Sequence, residues 1–427
     1  MKNLFLLCCI AAVSLMATAK ATDFNFPETV ITEATKQLDK AQKAGDSQGV
    51  IDALVKISIA KTHISGDFMP EAIAMVDSAA KASSDRVAKS LLYSLEADMY
   101  LALYENNRRV FATRDELADT VPADVMEWSR GNFIDKIIEL SDLSLSEKEI
   151  LSATPIKKYK RIITLPKAGN EAVPTLFDML AYHALYNVKN ISTYTQLPLR
   201  ALNSSKTFLN SRIKYDDRSD AFFDRTYRAL LETNKDNEPA FIYAELHRIN
   251  NTVKRMKRND YTKAKYVECL DSLYSQFSGS KYSAEILVRK ADYRFNKADY
   301  EEAKRCVARH GKYNRIGELK NIISRYEQQT VSLNYKECVT STDSIKITVR
   351  SRNVSDITVK TYKIPESIEL TGNIIKLLPK FKLVRSEDYK VNYIEGNNDT
   401  TTVVKCPPLS YGRYVMIPEF KDSKTGK

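Results

Sequence analysis

Residues 284–310 read AEILVRKADYRFNKADYEEAKRCVARH, and their pattern is that of two helices joined by a short turn. Apolar residues recur every three or four positions, as they do on the buried face of a helix, first at Leu287, Ala291 and Phe295 and then at Tyr300, Ala303 and Val307. The segment Ala298-Asp299-Tyr300 is predicted to form the turn. Small alanines let two helices approach closely, and Tyr300 would fill the gap beside the turn. The stretch therefore predicts an antiparallel helical hairpin.

The same pattern extends toward the N-terminus. Helices are predicted over 28–43, from Asp46 or Ser47 onward, after Pro70 and over 86–104. Gly45 ends the first of them, and either Asp46 or Ser47 is a good N-cap for the second. Long helices with short breaks are typical of stacked antiparallel hairpins. We therefore predict a helical region over residues 22–326.

The unit at 284–310 resembles one tetratricopeptide repeat, with Ala291, Tyr300 and Ala303 at the spacing of that repeat. The other hairpins match the repeat more loosely. The helical region is accordingly described as TPR-like, and a regular array is not expected.

From about Gln329 the hydrophobic period changes from that of a helix to two, which is the period of a strand. Alternating apolar residues occur at Ile345, Ile347 and Val349, at Ile357 and Val359, at Phe381 and Leu383, at Val391 and Tyr393, in Thr400–Lys405 and in Tyr411–Ile417. Turn signals separate them at Ser351-Arg352-Asn353, Gly396-Asn397-Asn398 and Cys406-Pro407-Pro408. About seven short strands predict an immunoglobulin-like β-sandwich over 330–420. Residues 421–427 form a polar tail, and the fold class is α plus β multidomain.

Residues 1–21 have the pattern of a signal peptide. Lys2 is followed by the apolar run Leu4–Met16, and Ala17-Thr18-Ala19 or Ala19-Lys20-Ala21 supplies the small residues that signal peptidase requires. The run is shorter than the roughly 20 apolar residues that cross a bilayer. We expect cleavage and export to the periplasm or cell envelope, with no transmembrane span after the leader. A lipoprotein anchored through Cys8 or Cys9 and an uncleaved anchor are the alternatives.

The chain has a net charge of +11, and its basic residues are spread along it with local clusters at 157–161 (KKYKR) and 254–258 (KRMKR). The simplest interpretation is a solvated basic surface, and attraction to an anionic envelope or an acidic partner is the sharper alternative. Neither cluster has the interleaved aromatic residues of a base-stacking platform, and exported proteins rarely meet nucleic acid. We therefore predict no nucleic-acid partner.

Four cysteines remain after the leader: Cys269, Cys306, Cys338 and Cys406. Four in a chain of this length do not make a disulfide scaffold. Cys269 and Cys306 fall on adjacent predicted helices, and Cys338 and Cys406 fall in the strand region. One disulfide per domain is an alternative, and free buried thiols are the default prediction.

No convincing catalytic constellation is found. Gly45–Gly49 matches the G-x-S-x-G nucleophile elbow, but that motif works on a turn from a strand to a helix, whereas here it joins two predicted helices. Ser47 is better explained as a helix cap. The sequence lacks H-E-x-x-H, C-x-x-C and a Gly-rich phosphate loop. The four histidines are scattered in helical pattern and are interpreted as packing or surface residues: His63, His183, His247 and His310. We predict no enzyme activity, no catalytic or cofactor-binding residues, no metal and no cofactor.

The order of the segments and several phrases resemble the N-terminal part of the large bacterial α2-macroglobulin-like proteins, in particular the Bacteroidetes type. The matching phrases are Asp124–Ser129 (DVMEWS) with Phe133, Pro174–Tyr182 (PTLFDMLAY), the hairpin at 284–310, Ser332–Tyr335 (SLNY), the strands at 345–349 and 357–362, and Tyr411–Tyr414 (YGRY). Pro174–Tyr182 is expected to open a helix, and the strands resemble an early macroglobulin domain. The resemblance covers nearly the whole mature chain.

This resemblance implies an envelope protein of a family that traps proteinases through a bait segment and, in many members, a Cys-x-x-Gln thioester. None of the four cysteines is followed by glutamine at the third position, so no thioester is expected. We therefore expect a truncated or split member that acts as an exported, non-catalytic scaffold, with other macroglobulin domains or a proteinase as its protein partner. The alternatives are a stand-alone proteinase-binding inhibitor module, an envelope glycan-binding protein suggested by the 24 tyrosines, and a divergent hydrolase using Ser47.

Overall fold

The computed structural model describes residues 25–115, 120–163, 171–193, 196–368, 374–396 and 398–420. The predicted leader at 1–21 and the polar tail at 421–427 lie outside the described residues. Contacts between elements divide the chain into two compact units, Met1–Leu273 and Tyr274–Lys427. The division falls before the predicted change from helix to strand at 326–330, so the hairpin at 284–310 belongs to the same unit as the strands.

The regular elements among the described residues of the first unit are helices, apart from one isolated bridge between Pro155 and Thr175. Its helices are α1 (Pro27–Ala44), α2 (Ser47–Ile64), α3 (Met69–Ala82), α4 (Arg86–Asn106), α5 (Arg108–Phe111), α6 (Arg130–Leu145), α7 (Lys148–Ala153), α8 (Leu176–Ile191), α9 (Ser205–Asn210), α10 (Arg218–Thr233) and α11 (Glu238–Lys254), with α12 (Asp260–Phe277) running past its end. The first four agree closely with the predicted helices. Because hydrophobic periodicity is strongest in long amphipathic helices, their positions are the part of this unit that the pattern predicts best.

Local capping fixes where several of these helices begin and end. Gly45 has φ 65°, a left-handed conformation that ends α1, and the side chain of Asp46 accepts a hydrogen bond from the Gly49 amide at 3.0 Å. The N-cap of α2 is therefore Asp46, and Ser47 is its first helical residue. Thr175 forms a capping box with Asp178 at the start of α8. The prediction that Pro174–Tyr182 opens a helix is confirmed.

An aromatic cluster joins α4 to α6. Trp128 stacks on Tyr100 with ring centroids 5.5 Å apart and meets Phe133 edge-on at 5.2 Å. Phe111 and Tyr104 also pack against Phe133, with ring centroids 4.7 Å and 5.6 Å away. The indole nitrogen of Trp128 donates to the Pro122 carbonyl at 2.9 Å, so the one polar group of the ring has a partner. Aromatic contacts of this kind add to the free energy of burial.

The basic cluster at 254–258 is not simply a solvated surface. Arg255 is buried and pairs with the buried Asp220, and Met256 is buried beside it. A buried guanidinium is tolerated only with a partner, since desolvation of an unpaired charge is costly. The interpretation of this cluster as solvated is therefore wrong for its centre.

In the second unit, α12 is followed by α13 (Ser283–Ala291), α14 (Lys297–His310) and α15 (Gly317–Glu327). The hairpin at 284–310 forms, but its turn lies at 292–296 instead of Ala298-Asp299-Tyr300. Asn296 is the N-cap of α14, and its side chain accepts a hydrogen bond from the Asp299 amide at 3.0 Å. This capping box moves the start of the helix ahead of the predicted turn. Phe295 consequently lies in the turn, where it packs against the helical core.

Six strands follow among the described residues. They are β1 (Thr330–Tyr335), β2 (Ile345–Arg352), β3 (Asp356–Ile364), β4 (Lys382–Lys390), β5 (Thr400–Cys406) and β6 (Arg413–Glu419), with a short helix α16 (Ile374–Leu377) before β4. They form two antiparallel three-stranded sheets with the orders β1-β2-β5 and β4-β3-β6. Alternate residues of β2 and β3, among them Ile347 and Val359, are buried in one core that both sheets share.

Two details of the strand prediction are wrong. Leu383 was expected to face the core with Phe381, yet its side chain is 46% exposed, because β4 is an outer strand with few buried residues. Val391 and Tyr393 do not belong to a strand. Val391 is buried in the shared core and its amide donates to the Ser355 carbonyl, just before the start of β3, at 2.8 Å, whereas Tyr393 is exposed. Asn397 of the predicted turn at 396–398 lies outside the described residues. The architecture is α plus β, with helices followed by small antiparallel sheets.

Candidate functional site

The four histidines singled out in the sequence all lie in helices and none lies beside another. His63 is exposed near the end of α2. His310 is the last residue of α14, and its Nε2 is 3.1 Å from the Gly279 carbonyl. His183 is buried, with Nε2 2.5 Å from Asp98 Oδ1. Burial alone would lower the pKa of His183, but the charge and hydrogen bond of Asp98 together raise it. His247 lies on α11, and its Nδ1 is 2.8 Å from the Tyr227 hydroxyl.

Ser47 lies at the junction of two helices, so the strand that a nucleophile elbow requires is replaced here by α1. The neighbouring Asp46 is used for capping and pairs with Arg161, whose Nη2 lies 2.8 Å from Asp46 Oδ2. The hydrogen bond to Arg161 and then the Gly49 amide hold the pKa of Asp46 below its usual value. Asp46 is thus the N-cap, and Ser47 is the first residue of α2, so the interpretation of Ser47 as a helix cap is wrong.

The four cysteines are all free. Cys269, Cys306 and Cys406 are buried, whereas Cys338 is exposed, so the default prediction of buried thiols is wrong for Cys338. Cys269 lies on α12 and Cys306 on α14, with α13 between them, and the two are therefore not on adjacent helices as predicted. Burial raises the pKa of Cys269 to about 12, which keeps this thiol protonated and unreactive.

The second unit contains a groove of about 950 Å³, which we call the tyrosine groove. Its lining comes from α14, the end of α15, the β2–β3 turn, the end of β4 and the segment before β5. The lining residues are Tyr300, Tyr326, Glu327, Gln329, Asn353, Val354, Ser355, Asp356, Ile357, Asp388, Tyr389, Lys390, Tyr393 and Glu395. Elements that are far apart in the sequence thus build one open site.

One wall of the tyrosine groove is aromatic. Tyr300 and Tyr326 stack on each other with ring centroids 4.4 Å apart, and the Tyr300 hydroxyl donates to Glu327 Oε1 at 2.5 Å. Burial and then this hydrogen bond raise the pKa of Tyr300, so its hydroxyl remains a donor. Tyr393, by contrast, is largely exposed at the rim.

Asn353 organises the base of the groove. It adopts a left-handed backbone conformation with φ 53°, which asparagine tolerates better than most residues. Its side-chain amide donates to the Tyr326 carbonyl at 2.6 Å, and its Oδ1 accepts from the Gly396 amide at 2.7 Å. Gln329 donates to its backbone carbonyl at 3.0 Å. These bonds tie the end of α15 to the β2–β3 turn and to the segment that precedes β5.

The groove is acidic although the whole protein is basic. Four carboxylates line it, against one ammonium group: Glu327, Asp356, Asp388 and Glu395 against Lys390. Asp356, Asp388 and Glu395 are exposed. Thr358 Oγ1 donates to Asp388 Oδ1 at 2.7 Å, which positions that carboxylate. Clustered exposed carboxylates attract cationic groups, most strongly at low ionic strength.

The groove adjoins an outer strand. β4 pairs with β3 on one side, and as the end of the order β4-β3-β6 its other edge has no strand beside it among the described residues. Asp388 to Lys390, at the end of β4, belong to the groove lining, and Leu383 and Val384 are exposed farther along the strand. An outer strand with exposed apolar residues can pair with an added peptide strand.

Sequence reasoning did not find the tyrosine groove. Its residues span positions 300 to 395, and no local motif links them. The only local signal is the turn predicted at Ser351-Arg352-Asn353, and it is wrong for its first two residues, because Ser351 and Arg352 still belong to β2. Only Asn353 lies in the turn, and the pattern does not indicate that it connects a helix end to two strands. The excess of tyrosines was noted without an indication of which of them share a surface.

Searches of protein-family models, curated proteins and solved structures found no match to this chain. Within the part of the chain that the structure describes, no helix is long and apolar enough to cross a membrane. The same residues contain no group of three histidine, cysteine, aspartate or glutamate side chains placed to hold a metal ion.

Proposed function

We propose that this protein is an exported, non-catalytic scaffold that binds a basic, extended segment of a protein partner in the tyrosine groove. The observation that carries the proposal is the combination of four carboxylates and stacked tyrosines at the end of an outer strand. The partner segment would contain lysine or arginine residues alternating with apolar ones.

The charges of the groove favour a cationic occupant. Asp356 and Lys390 lie opposite each other in the β3–β4 register, so they partly compensate one another. Glu395 pairs with Lys297, whose Nζ lies 2.9 Å from Glu395 Oε2, and Glu327 accepts the Tyr300 hydroxyl. The negative charge offered to a partner therefore comes chiefly from the exposed Asp388. Because the protein has a net charge of +11, a basic segment would be attracted to this groove and repelled elsewhere.

The tyrosines favour lysine and arginine over a small cation. The long stems of these residues pack on aromatic faces, and their charged ends interact with the ring face. Tyr393 is exposed at the rim and is available for such a contact. A glycan could also stack on this ring, but the unpaired edge of β4 offers backbone groups that match a peptide strand.

We extend the same proposal to the types of fold and to the family. The helical part would be TPR-like, the strand region immunoglobulin-like, and the chain a relative of the α2-macroglobulin-like proteins that it resembles in sequence. In that setting the bound segment would come from other macroglobulin domains or from a proteinase. The resemblance suggests these partners, and the charges and tyrosines of the groove suggest that the bound segment is basic and extended.

Fluorescence anisotropy with labelled peptides tests the proposal. A ten-residue peptide that alternates arginine with valine is expected to bind the full chain with micromolar affinity, and a peptide with glutamate in place of arginine is not, because the groove is acidic. The double variant Asp356→Asn/Asp388→Asn should weaken binding by about tenfold at low salt. The matched control is Glu337→Gln/Asp343→Asn, which removes two exposed carboxylates of the same unit outside the groove.

Equal loss of affinity in the two double variants would mean that only net charge matters, and the groove would no longer be the site. Binding of an envelope glycan array without peptide binding would favour the glycan-binding alternative. Export is checked by N-terminal sequencing of the native protein, which should begin at Lys20 or Thr22.

A further inference from the structure

The first unit contains a separate small cavity between α8, α10 and α11, which we call the His247 cavity. Its volume is about 90 Å³. A single water needs roughly 10–15 Å³ of such space, so the cavity has room for a small organic group. Leu185 and Phe223 supply apolar walls, and all of its lining residues belong to the first unit.

Two lining residues have buried polar atoms without a hydrogen-bond partner. Tyr182 is 4% exposed, and its hydroxyl is unpaired. Asn250 accepts a hydrogen bond from the Tyr266 hydroxyl through Oδ1, while its Nδ2 is buried and has no partner. Buried donors are rarely left unpaired in proteins, because each lost hydrogen bond costs free energy. Both unpaired groups are hydrogen-bond donors on residues that line the cavity.

His247 adds a third donor. Burial, followed by the charges of Lys189 and Lys254, lowers its pKa to about 3, so the ring is neutral at physiological pH. The Tyr227 hydroxyl lies 2.8 Å from His247 Nδ1. Burial strongly raises the pKa of Tyr227, so this hydroxyl keeps its proton and can donate a hydrogen bond to Nδ1 of the His247 tautomer that is protonated on Nε2. In a neutral ring whose Nδ1 accepts a hydrogen bond, Nε2 carries the proton and can act as a donor.

The charges at the cavity are positive. Lys189 and Lys254 are among its lining residues, and the described lining contains no carboxylate. Burial lowers the pKa of Lys189, and no acidic residue contributes to raise it. A half-buried ammonium without a counter-ion is destabilised by desolvation, and an anion beside it would relieve that cost.

We propose that the His247 cavity binds a carboxylate group with a short apolar substituent. Tyr182, Asn250 and His247 would donate hydrogen bonds to the carboxylate oxygens, and Lys189 would balance the charge. Leu185 and Phe223 would contact the hydrocarbon part. A carboxylate fits better than phosphate, because the apolar walls cannot replace the hydration of a doubly charged anion.

The same chemistry has two sources, a free short-chain acid or the C-terminal carboxylate of a polypeptide. Isothermal titration of the full chain with sodium butyrate is expected to show one saturable site. Butyramide, which has the same shape without the charge, should not bind. A hexapeptide with a free C-terminus that binds more tightly than butyrate, while its C-terminal amide does not bind, would identify a polypeptide as the source. Tighter binding of butyrate would identify the free acid.

Two variants locate the site. Lys189→Met keeps the apolar stem and should weaken butyrate binding about tenfold, and Tyr182→Phe should weaken it about fivefold. The control is Lys206→Met, which removes an exposed lysine on α9 and should leave binding unchanged. Circular dichroism verifies that each variant folds. A measurement on the unmodified protein guards against a folding defect: NMR titration of Lys189 should show its pKa rising when butyrate is bound.

The proposal is overturned by either of two results. One is the absence of saturable butyrate binding below about 10 mM, which corresponds to less than about 3 kcal/mol of binding free energy. The other is binding that Lys189→Met and Tyr182→Phe both leave unchanged. Tighter binding of inorganic phosphate than of butyrate would overturn the selectivity for carboxylates. These results are independent of the peptide experiment on the tyrosine groove, because the two sites share no residue.

Discussion

Glu96 on α4 allows a quantitative test of how burial controls charge in this protein. Its side chain is 1% exposed, and its Oε2 has no hydrogen-bond partner. Burial, followed by the negative charge of Asp77, raises the pKa of Glu96 to about 7. Lys136 and Lys81 act in the opposite direction, and Glu139 adds slightly to the rise. The carboxyl therefore ionises near neutral pH in the folded protein.

The size of the effect follows from the difference between the two states. In the unfolded chain the carboxyl has its ordinary pKa of 4.5, whereas in the folded protein the pKa is about 7. The folded state thus binds the proton more tightly, and this stabilisation is fully present below pH 4.5 and is lost as the pH rises to 7. The change corresponds to about 3 kcal/mol over the whole range.

The substitution Glu96→Gln removes the titration and preserves the shape of the side chain. Relative to the unsubstituted protein, the free energy of unfolding of this variant should rise by about 2.5 kcal/mol between pH 5 and pH 8. Urea denaturation, followed by the fluorescence of the single tryptophan, Trp128, measures both proteins at each pH. The control is Glu33→Gln, an exposed glutamate on α1, whose stability curve should run parallel to that of the unsubstituted protein.

A difference between Glu96→Gln and the unsubstituted protein that stays constant from pH 5 to pH 8 would refute the reasoning. It would mean that water or a rearranged lysine compensates the charge of Glu96, and that burial in the static structure overstates its cost. For Glu33→Gln a constant difference is the expected result, because that side chain is exposed to water.

Two further substitutions test packing and pairing. Gly396→Ala would place a Cβ 2.6 Å from Tyr326 Cε2, at a φ of 110° that side chains rarely adopt. Urea denaturation should show the second unit destabilised by about 2 kcal/mol. The control is Gly279→Ala, whose Cβ meets no atom within 4 Å and which should change stability by less than about 0.5 kcal/mol. Equal effects of the two would contradict the contact at Tyr326. Glu245→Gln would remove the charge that pairs with the buried Arg248 at 2.7 Å, and it should lower the free energy of unfolding by about 3–5 kcal/mol in the same assay. A decrease of less than about 1 kcal/mol would contradict a desolvated ion pair.

Most of the secondary structure could be predicted from sequence because its signals are local. The end of α1 depends on Gly45, and the start of α8 on Thr175 and Asp178, all within a few residues of the boundary they set. The buried face of β2 is readable from Ile345 and its alternating neighbours for the same reason. The turn of the 284–310 hairpin was misplaced because the capping box of Asn296 outweighs the apolar pattern that continues to Phe295.

The sites could not be predicted, because each joins residues from distant parts of the chain. His183 and Asp98 are 85 positions apart, and Tyr300 reaches the same groove as Glu395 only through the packing of helices and strands. Likewise, alternation at Leu383 gave no sign that β4 is an outer strand, since that depends on which strands pair beside it.

By itself, the sequence determined the succession of helices and strands and several of their caps, because these depend on neighbouring residues and on hydrophobic period. Only the tertiary structure decided which carboxylates and tyrosines share the tyrosine groove and which donors surround the His247 cavity. Burial and charge at these sites are collective properties of several elements, and no single segment contains enough of them to disclose the site.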